Sequence, residues 1–165
     1  MGMTLVDNGL CEYRVTVGRD WLDYNEHMNV AFYLKAFDDA GEHLTVAIGM
    51  GADYTRRTNN SWVALESHIT FQNEALLGDA LRIESRVLAF DEKKMHIYQE
   101  MFRADELLAT HEQLGLHFDT SARRGSAFTP EVRARLERLQ AAQASLARPA
   151  AMGRSISIAR RQGAA

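Results

Sequence analysis

Several features that would place the chain in a specialised class are missing from its 165 residues. The single cysteine, Cys11, excludes an intramolecular disulfide and a thiolate metal cluster, which fits a reducing compartment. No run of about eighteen apolar residues occurs, and the N-terminus has neither a basic region nor an apolar stretch, so we expect neither a membrane span nor a secretory signal. The net charge of −3 gives no reason to expect nucleic acid or a charged membrane as a partner. Together these absences favour a cytoplasmic protein.

Sequence motifs for the common cofactors are also missing. There is no P-loop, no Rossmann glycine pattern and no G-x-S-x-G, so nucleotide hydrolysis, redox chemistry and serine-hydrolase chemistry lack support. Four histidines, His68, His96, His111 and His117, are scattered over strand-like runs without the spacing of metal ligands. We therefore expect no metal site and no bound cofactor.

What is present describes one globular unit. The chain is 46% apolar and 25% charged, and it contains no internal repeat and no linker rich in proline, glycine or serine before residue 120. We predict a single domain over residues 1–146 and a basic, flexible tail over 147–165. The tail carries arginines without acids, namely Arg148, Arg154, Arg160 and Arg161. A frayed terminus is the simpler interpretation of this tail, and a phosphate-contacting segment is the alternative.

Hydrophobic periodicity predicts the order of the elements. Residues 11–18 alternate as a short strand, and from Val30 apolar residues recur every three or four positions up to Gly49, as in an amphipathic helix. Asn29 is placed to cap the start of this helix. Four strand-like runs follow, separated by short polar breaks, and they cover 61–72, 79–90, 93–104 and 107–119.

The pattern therefore predicts an α+β fold in which one antiparallel sheet wraps around one long helix. The four later strands are predicted to form a meander, with hairpin turns at Gly78-Asp79, Asp91-Glu92 and Asp105-Glu106. Thr129 and Pro130 open a further C-terminal helix, as N-cap and first helical residue.

The segment DWLDYNEHMNVAFYLKAFDDA, residues 20–40, contains a recognisable arrangement. Asp23 is followed by His27, Asn29 and Tyr33, which resembles the D-x-x-x-H-x-N-x-x-x-Y pattern of 4-hydroxybenzoyl-CoA-type hotdog thioesterases. The order strand, long helix, four strands resembles the whole hotdog core over residues 11–120. The resemblance implies a hotdog fold, hydrolysis of an acyl-CoA and a homodimer or homotetramer with its active site between subunits. Coenzyme A is then part of the substrate, and no separate cofactor is expected.

The chemistry of this segment can also be argued from the residues. A helix N-terminus offers free backbone N–H groups, here of Val30 and Ala31, to a carbonyl oxygen that gains negative charge. Asp23 could activate water as a general base or attack the carbonyl carbon itself. His27 and Asn29 would orient the water or the carboxylate. The predicted catalytic set is therefore Asp23, His27 and Asn29.

Each of these residues also has a structural interpretation. Asn29 could act only as a helix cap, His27 as a hydrogen-bonding residue, and Asp23 as part of an Asx turn. Glu26 and Val30 depart from the residues common in the family pattern at these positions. Asp39 on the helix is the reserve candidate for the catalytic carboxylate, because some hotdog thioesterases carry theirs on that helix.

Two stretches, DYNEHMNVAFYLKAFDDA and ATHEQLGLHFDT, are similar to hotdog domains that act on carnitinyl- or betainyl-CoA, whose acyl group carries a quaternary ammonium. An aromatic cage could hold such a cation. The candidates for it are Trp21, Tyr24, Phe32, Tyr33 and Trp62.

Coenzyme A also requires basic groups for its phosphates, and candidates for these contacts are Lys93, Lys94, Arg123 and Arg124. Two other functions stay open at this point. One is a hotdog enoyl-CoA hydratase, and the other is a hotdog module that binds acyl-CoA without reacting with it.

Overall fold

The computed structural model of the chain describes residues 4–5, 9–156 and 158. The elements in this part of the chain are β1 (Thr4–Leu5), β2 (Cys11–Thr16), a 3-10 turn (Arg19–Trp21), α1 (Val30–Ala47), α2 (Ala52–Thr58), β3 (Asn60–Phe71), β4 (Ala80–Phe90), β5 (Lys94–Arg103), β6 (Glu106–Asp119), β7 (Arg124–Gly125) and α3 (Pro130–Ala142). The predicted long helix, C-terminal helix and strand runs are confirmed to within about two residues. The short helix α2 was not predicted.

The long helix α1 begins where its cap is placed. The side-chain oxygen of Asn29 accepts a hydrogen bond of 3.0 Å from the Ala31 backbone N–H, and Val30 is the first helical residue. The apolar stripe of the helix is completely buried at its centre, at Ala36, Phe37, Ala40 and Leu44. The helix ends just before Gly49, whose φ of +83° is a conformation that glycine adopts without strain.

One antiparallel sheet packs against this helix, with the strand order β1-β2-β4-β5-β6-β3 and β7 paired to β6. Alternate residues of the middle strands are buried, including Leu81 and Ile83 of β4 and Ile97 of β5. The predicted α+β architecture, a sheet wrapped around a long helix, is confirmed.

The predicted meander of four consecutive strands is wrong. Strands β4, β5 and β6 do form consecutive hairpins, but β3 pairs with β6 and not with β4. The other edge of β4 is taken by β2, whose Cys11 lies opposite Ser85. Gly78 and Asp79 therefore end a crossover connection rather than a hairpin turn, and residues 72–79 carry the chain from one end of the strand order to β4.

The core divides into two clusters along α1. The first lies under the N-terminal half of the helix and contains Phe37, Ile83 and Met101. The second lies under its C-terminal half and is closed by α3, which buries Val132, Leu136 and Leu139. Helix α3 begins at Thr129, whose hydroxyl oxygen accepts a hydrogen bond from the Val132 backbone N–H at 3.4 Å.

The first part of the predicted tail contacts the sheet. The carbonyl oxygen of Ala147 accepts a hydrogen bond of 2.8 Å from Arg86, and the backbone N–H of Gly153 donates to Glu112 at 2.7 Å. Pro149 between them is buried. Arg160 and Arg161 lie outside the described residues. None of the helices in the described ranges is long and apolar enough to cross a membrane.

Candidate active site

Asp23 lies at the start of a tight loop that leads into α1. The backbone N–H of Asp23 donates to the carbonyl oxygen of His27 at 2.9 Å, and Leu22 pairs with Met28 across the loop. One carboxylate oxygen, Oδ1, accepts hydrogen bonds from the backbone N–H groups of Asn25 at 2.8 Å and His27 at 3.4 Å. The other oxygen, Oδ2, has no hydrogen-bond donor within the part of the chain that is described. The carboxylate thus forms an Asx turn with one oxygen and leaves the second available.

Asp23 lines a cleft of about 630 Å³ at the N-terminal end of α1. The walls come from the Asp23 loop, the first turns of α1, the end of β3 with the residues after it, and the β5–β6 hairpin. The lining residues are Asp23, His27, Met28, Val30, Tyr33, Phe71, Gln72, Asn73, Glu74, Arg103 and Glu106. The structure therefore brings together four of the predicted residues, namely Asp23, His27, Val30 and Tyr33.

Tyr33 forms one side of this cleft. Its hydroxyl oxygen accepts a hydrogen bond of 2.9 Å from the Ala75 backbone N–H, and its ring meets that of Phe71 edge to face, with centroids 5.1 Å apart and planes at 88°. Burial raises the pKa of the Tyr33 hydroxyl, so it stays protonated at neutral pH. The two perpendicular rings form a corner, the Phe71–Tyr33 corner. The Phe71 ring is half-exposed and is the more accessible of the two.

The helix start offers one free backbone donor rather than the two predicted. The Ala31 N–H is bonded to the Asn29 side chain, and Ala31 does not line the cleft, so its contact with substrate stays a prediction. The Val30 N–H has no acceptor in the described ranges, and Val30 lines the cleft. Asn29 itself does not line the cleft; its side chain caps α1, in agreement with the structural alternative.

The side chains that line the cleft carry more negative than positive charges. Arg103 is held between two carboxylates, at 2.7 Å from Asp79 and 2.6 Å from Glu106, and it also donates to the Glu74 carbonyl oxygen at 3.5 Å. The Glu74 carboxylate lies 3.9 Å from the His27 ring nitrogen. Three carboxylates and one guanidinium line the cleft, which gives a net charge of −2 when His27 is neutral.

The predicted aromatic cage does not form within the chain. Trp62 lies at a different place, with its indole ring against Gly115, where it packs beside the second core cluster. Trp21 and Phe32 stack on each other, with centroids 5.5 Å apart. Tyr24 is 93% exposed on the Asp23 loop and does not line the cleft. Of the five proposed cage residues, only Tyr33 lines it.

The four basic residues proposed for the CoA phosphates lie together at the opposite end of the sheet. The backbone N–H groups of Lys93 and Lys94 donate to Asp91 in the β4–β5 turn, and Arg123 and Arg124 lie at the β6–β7 turn. Strand β5 runs for 10 residues from this end toward the cleft, a distance of roughly 30 Å. A single chain does not bring these residues to the cleft.

Asp39, the reserve candidate, also lies outside the cleft and forms an ion pair with Lys35 at 2.8 Å. No group of three or more His, Cys, Asp or Glu side chains in the described ranges has a metal-binding arrangement. Sequence reasoning missed the cleft residues that follow β3 and those of the β5–β6 hairpin, of which Glu74 and Arg103 are the most polar. The break between the runs ending at 72 and starting at 79 was the available signal, because it is longer than a tight hairpin requires.

Comparison with known proteins agrees with the fold. The profile of the Thioesterase-like superfamily matches residues 17–136. A Pseudomonas aeruginosa betainyl-CoA thioesterase is 32% identical over 151 residues, which cover 90% of this chain and 95% of that protein. A Ruegeria pomeroyi L-carnitine dehydrogenase/betainyl-CoA thioesterase is 37% identical over 137 residues, or 83% of this chain. The chain spans only 28% of the length of that second relative.

Solved structures give the same architecture. A Pseudomonas putida protein that was assigned as a thioesterase superposes with a TM-score of 0.79 at 33% identity, over 97% of this chain and 99% of that one. A Staphylococcus aureus protein solved in complex with CoA superposes with a TM-score of 0.87 at 23% identity, over 96% and 98% of the two chains. At that identity the second likeness supports the fold alone.

Proposed function

The chain belongs to the Thioesterase-like superfamily, and from this premise we propose that it hydrolyses the thioester bond of an acyl-CoA, with betainyl-CoA as its substrate. The single observation that carries the reaction is the free Oδ2 of Asp23 in the same cleft as the free Val30 N–H. The relatives named for betainyl-CoA support the choice of acyl group.

In the proposed reaction, Asp23 acts on a water molecule as a general base. The water oxygen attacks the carbonyl carbon while its proton passes to Asp23 Oδ2, and the carbonyl oxygen gains negative charge beside the Val30 N–H and the positive end of α1. The carbon–sulfur bond then breaks, and CoA leaves as a thiolate. Direct attack by Asp23 on the carbonyl carbon would give an acyl-enzyme anhydride that water then opens, and the same residues would serve.

The proposed active unit is a homodimer built on strand β3. This strand is 12 residues long, lies at the end of the strand order, and exposes 51% of Leu65. Exposed edge strands pair readily with a second chain. Antiparallel pairing of two β3 strands reverses the second sheet, so it would carry the basic end of the partner subunit toward this cleft. That arrangement would supply the phosphate contacts that one chain lacks.

A Leu65→Lys variant tests this interface by analytical ultracentrifugation. The expected result is a monomer with little thioesterase activity, whereas Val46→Lys, at a comparably exposed residue of α1, stays dimeric and active. A wild-type protein that sediments as an active monomer would overturn the dimer.

The reaction itself is tested by measuring free CoA thiol released from betainyl-, acetyl-, benzoyl- and crotonyl-CoA. We expect kcat/KM for betainyl-CoA to exceed that for the other thioesters by at least about tenfold. This ratio corresponds to about 1.4 kcal/mol of discrimination between substrates. Loss of the crotonyl double bond without thiol release would instead identify a hydratase. Binding of these thioesters without any reaction would identify a binding module.

A further inference from the structure

The charge of the cleft beside Asp23 disagrees with the ligand expected there. Coenzyme A is itself an anion, yet the cleft has a net charge of −2. Such a cleft attracts a ligand whose reacting end is positively charged, whereas it gives no electrostatic attraction to a neutral one.

We propose that Glu74, together with the Phe71–Tyr33 corner, forms the subsite that binds a quaternary ammonium on the acyl group and so determines substrate specificity. The proposal rests on the proposed thioesterase function and deepens it. It replaces the aromatic cage predicted from the sequence with a different set of residues, of which only Tyr33 is shared.

Apart from Asp23, which is assigned to the reaction, Glu74 is the cleft carboxylate whose charge is most free to act on a ligand. The Glu106 charge is taken up by Arg103, which also binds Asp79. The Glu74 side chain is 61% exposed, and its ionic neighbour in the described ranges is His27, at 3.9 Å. No lysine or arginine of the described ranges forms an ion pair with Glu74, so a ligand cation would find a counter-charge there.

The aromatic corner suits a cation that cannot donate hydrogen bonds. A trimethylammonium group is held by Coulomb attraction and by contact with aromatic rings, since it carries no N–H. The half-exposed Phe71 ring provides the main surface for such a group, and the buried Tyr33 ring supports it edge to face. Glu74 follows Phe71 by three residues and lines the same cleft. Asp23 lines the same cleft, so a short acyl chain could present its carbonyl to Asp23 and its ammonium to Glu74.

The test compares two substrates that have the same shape and different charge. Betainyl-CoA carries (CH₃)₃N⁺–CH₂–CO–, and 3,3-dimethylbutyryl-CoA carries the neutral isostere (CH₃)₃C–CH₂–CO–. The kcat/KM of each is measured for the wild type and for Glu74→Gln. The matched control is Glu26→Gln, which removes the same charge from an exposed residue of the neighbouring loop that does not line the cleft.

We expect the wild type to have the higher kcat/KM for betainyl-CoA. Glu74→Gln should lower kcat/KM for betainyl-CoA by at least about tenfold and leave kcat/KM for the neutral substrate unchanged. Glu26→Gln is expected to change the preference by less than about threefold, because Glu26 does not line the cleft and solvent screens its charge from a ligand bound there. Equal losses on both substrates in Glu74→Gln, or no loss on either, would overturn the subsite and leave the thioesterase function standing. A wild type that treats the two substrates alike would overturn it as well. Failure of the wild type to hydrolyse either thioester would overturn the proposed function and the subsite together.

Discussion

The Tyr33 hydroxyl accepts a hydrogen bond of 2.9 Å from the backbone N–H of Ala75, and both residues are buried. This bond joins α1 to the crossover segment that carries Glu74. The same segment is also held to the Asp23 loop by the Met28 N–H, which donates to the Ala75 carbonyl oxygen at 2.9 Å, and by the pairing of His27 with Leu76. Because the partner of the Tyr33 hydroxyl is a buried backbone donor, losing the acceptor leaves that donor without a hydrogen bond.

Replacing Tyr33 by Phe tests this link. The free energy of unfolding should fall by about 1–3 kcal/mol, the cost of an unsatisfied buried donor, and the KM for the thioester should rise because the Glu74 side of the cleft is held less firmly. Urea unfolding and steady-state kinetics measure the two effects. Tyr24→Phe removes the hydroxyl of a tyrosine that is 93% exposed and serves as the control, with no change expected in stability. Equal stability of both variants would contradict the link.

Asn29 is expected to act through the helix rather than on the substrate. Its side chain caps α1, so Asn29→Ala should lose about 1 kcal/mol of stability. Asn29→Ser keeps a side-chain oxygen that can cap the helix, and both its stability and its kcat should stay close to the wild-type values. A serine variant that is stable yet strongly impaired in kcat would show that the amide contacts the reacting groups.

A buried histidine connects four strands beneath α1. Gln99 donates from its side-chain nitrogen to the Phe37 carbonyl oxygen at 3.0 Å and to the Ser85 hydroxyl at 2.9 Å, so its oxygen is left to accept from His111 Nδ1 at 2.7 Å. The other ring nitrogen, Nε2, then accepts from the Ser67 hydroxyl at 2.5 Å. Burial lowers the pKa of His111 from 6.5 to about 4. The histidine is neutral at pH 7, with its proton on Nδ1.

This lowered pKa predicts that stability is lost in acid. Between pH 6.5 and about 4 the unfolded chain binds a proton at His111 and the folded chain does not, so the free energy of unfolding falls as the pH falls through this range. The loss from this residue amounts to about 3 kcal/mol, and His117, whose pKa burial also lowers, adds to it. Urea midpoints from pH 7 to 4 should therefore decline less steeply in His111→Gln than in the wild type. The control is His68→Gln on the neighbouring strand, and a slope in His111→Gln equal to that of the wild type would contradict the prediction.

Cys11 should not interfere with a thiol-release assay. Its side chain is 1% exposed, and burial raises the pKa of its thiol to about 11. The thiolate is the reactive form. Ellman's reagent at pH 8 should therefore detect less than about a tenth of an equivalent in the folded protein and about one equivalent after unfolding in guanidinium. Rapid reaction of the folded protein would show that Cys11 is accessible.

The sequence predicted the features that local interactions determine. The start of α1 follows from the Asn29 cap and the periodicity after it, and the β4–β5 and β5–β6 turns follow from their polar residues. The partner of β3 could not be predicted in this way, because turn residues do not specify which edge of a sheet a strand joins. The cleft depends on that pairing, since it brings Glu74 beside His27.

The face of the sheet to which a side chain of β3 points is the second feature that could not be predicted from the sequence. Strand β3 contains an irregularity between Ala64 and Glu66, and one extra residue changes the face to which the following side chains point. Because of this irregularity Trp62 and Phe71 point to the same face of the sheet, opposite His117 and Ala109. Trp62 nevertheless packs against Gly115 near the start of the strand, whereas Phe71 lines the cleft at its end. An aromatic residue can therefore be recognised in the sequence without showing whether it meets the ligand or the core.

The role of Asp23 is tested most directly by Asp23→Asn, which keeps the oxygen that forms the Asx turn and removes the negative charge. Asp39→Asn on α1 is the matched control, because Asp39 is the other candidate carboxylate and does not line the cleft. The measurement is kcat for free-thiol release from betainyl-CoA, with thermal unfolding to confirm that both variants fold. We expect kcat to fall at least about a hundredfold in Asp23→Asn and to change little in Asp39→Asn. A folded Asp23→Asn enzyme that retains most of the wild-type kcat would show that Asp23 is not the catalytic carboxylate.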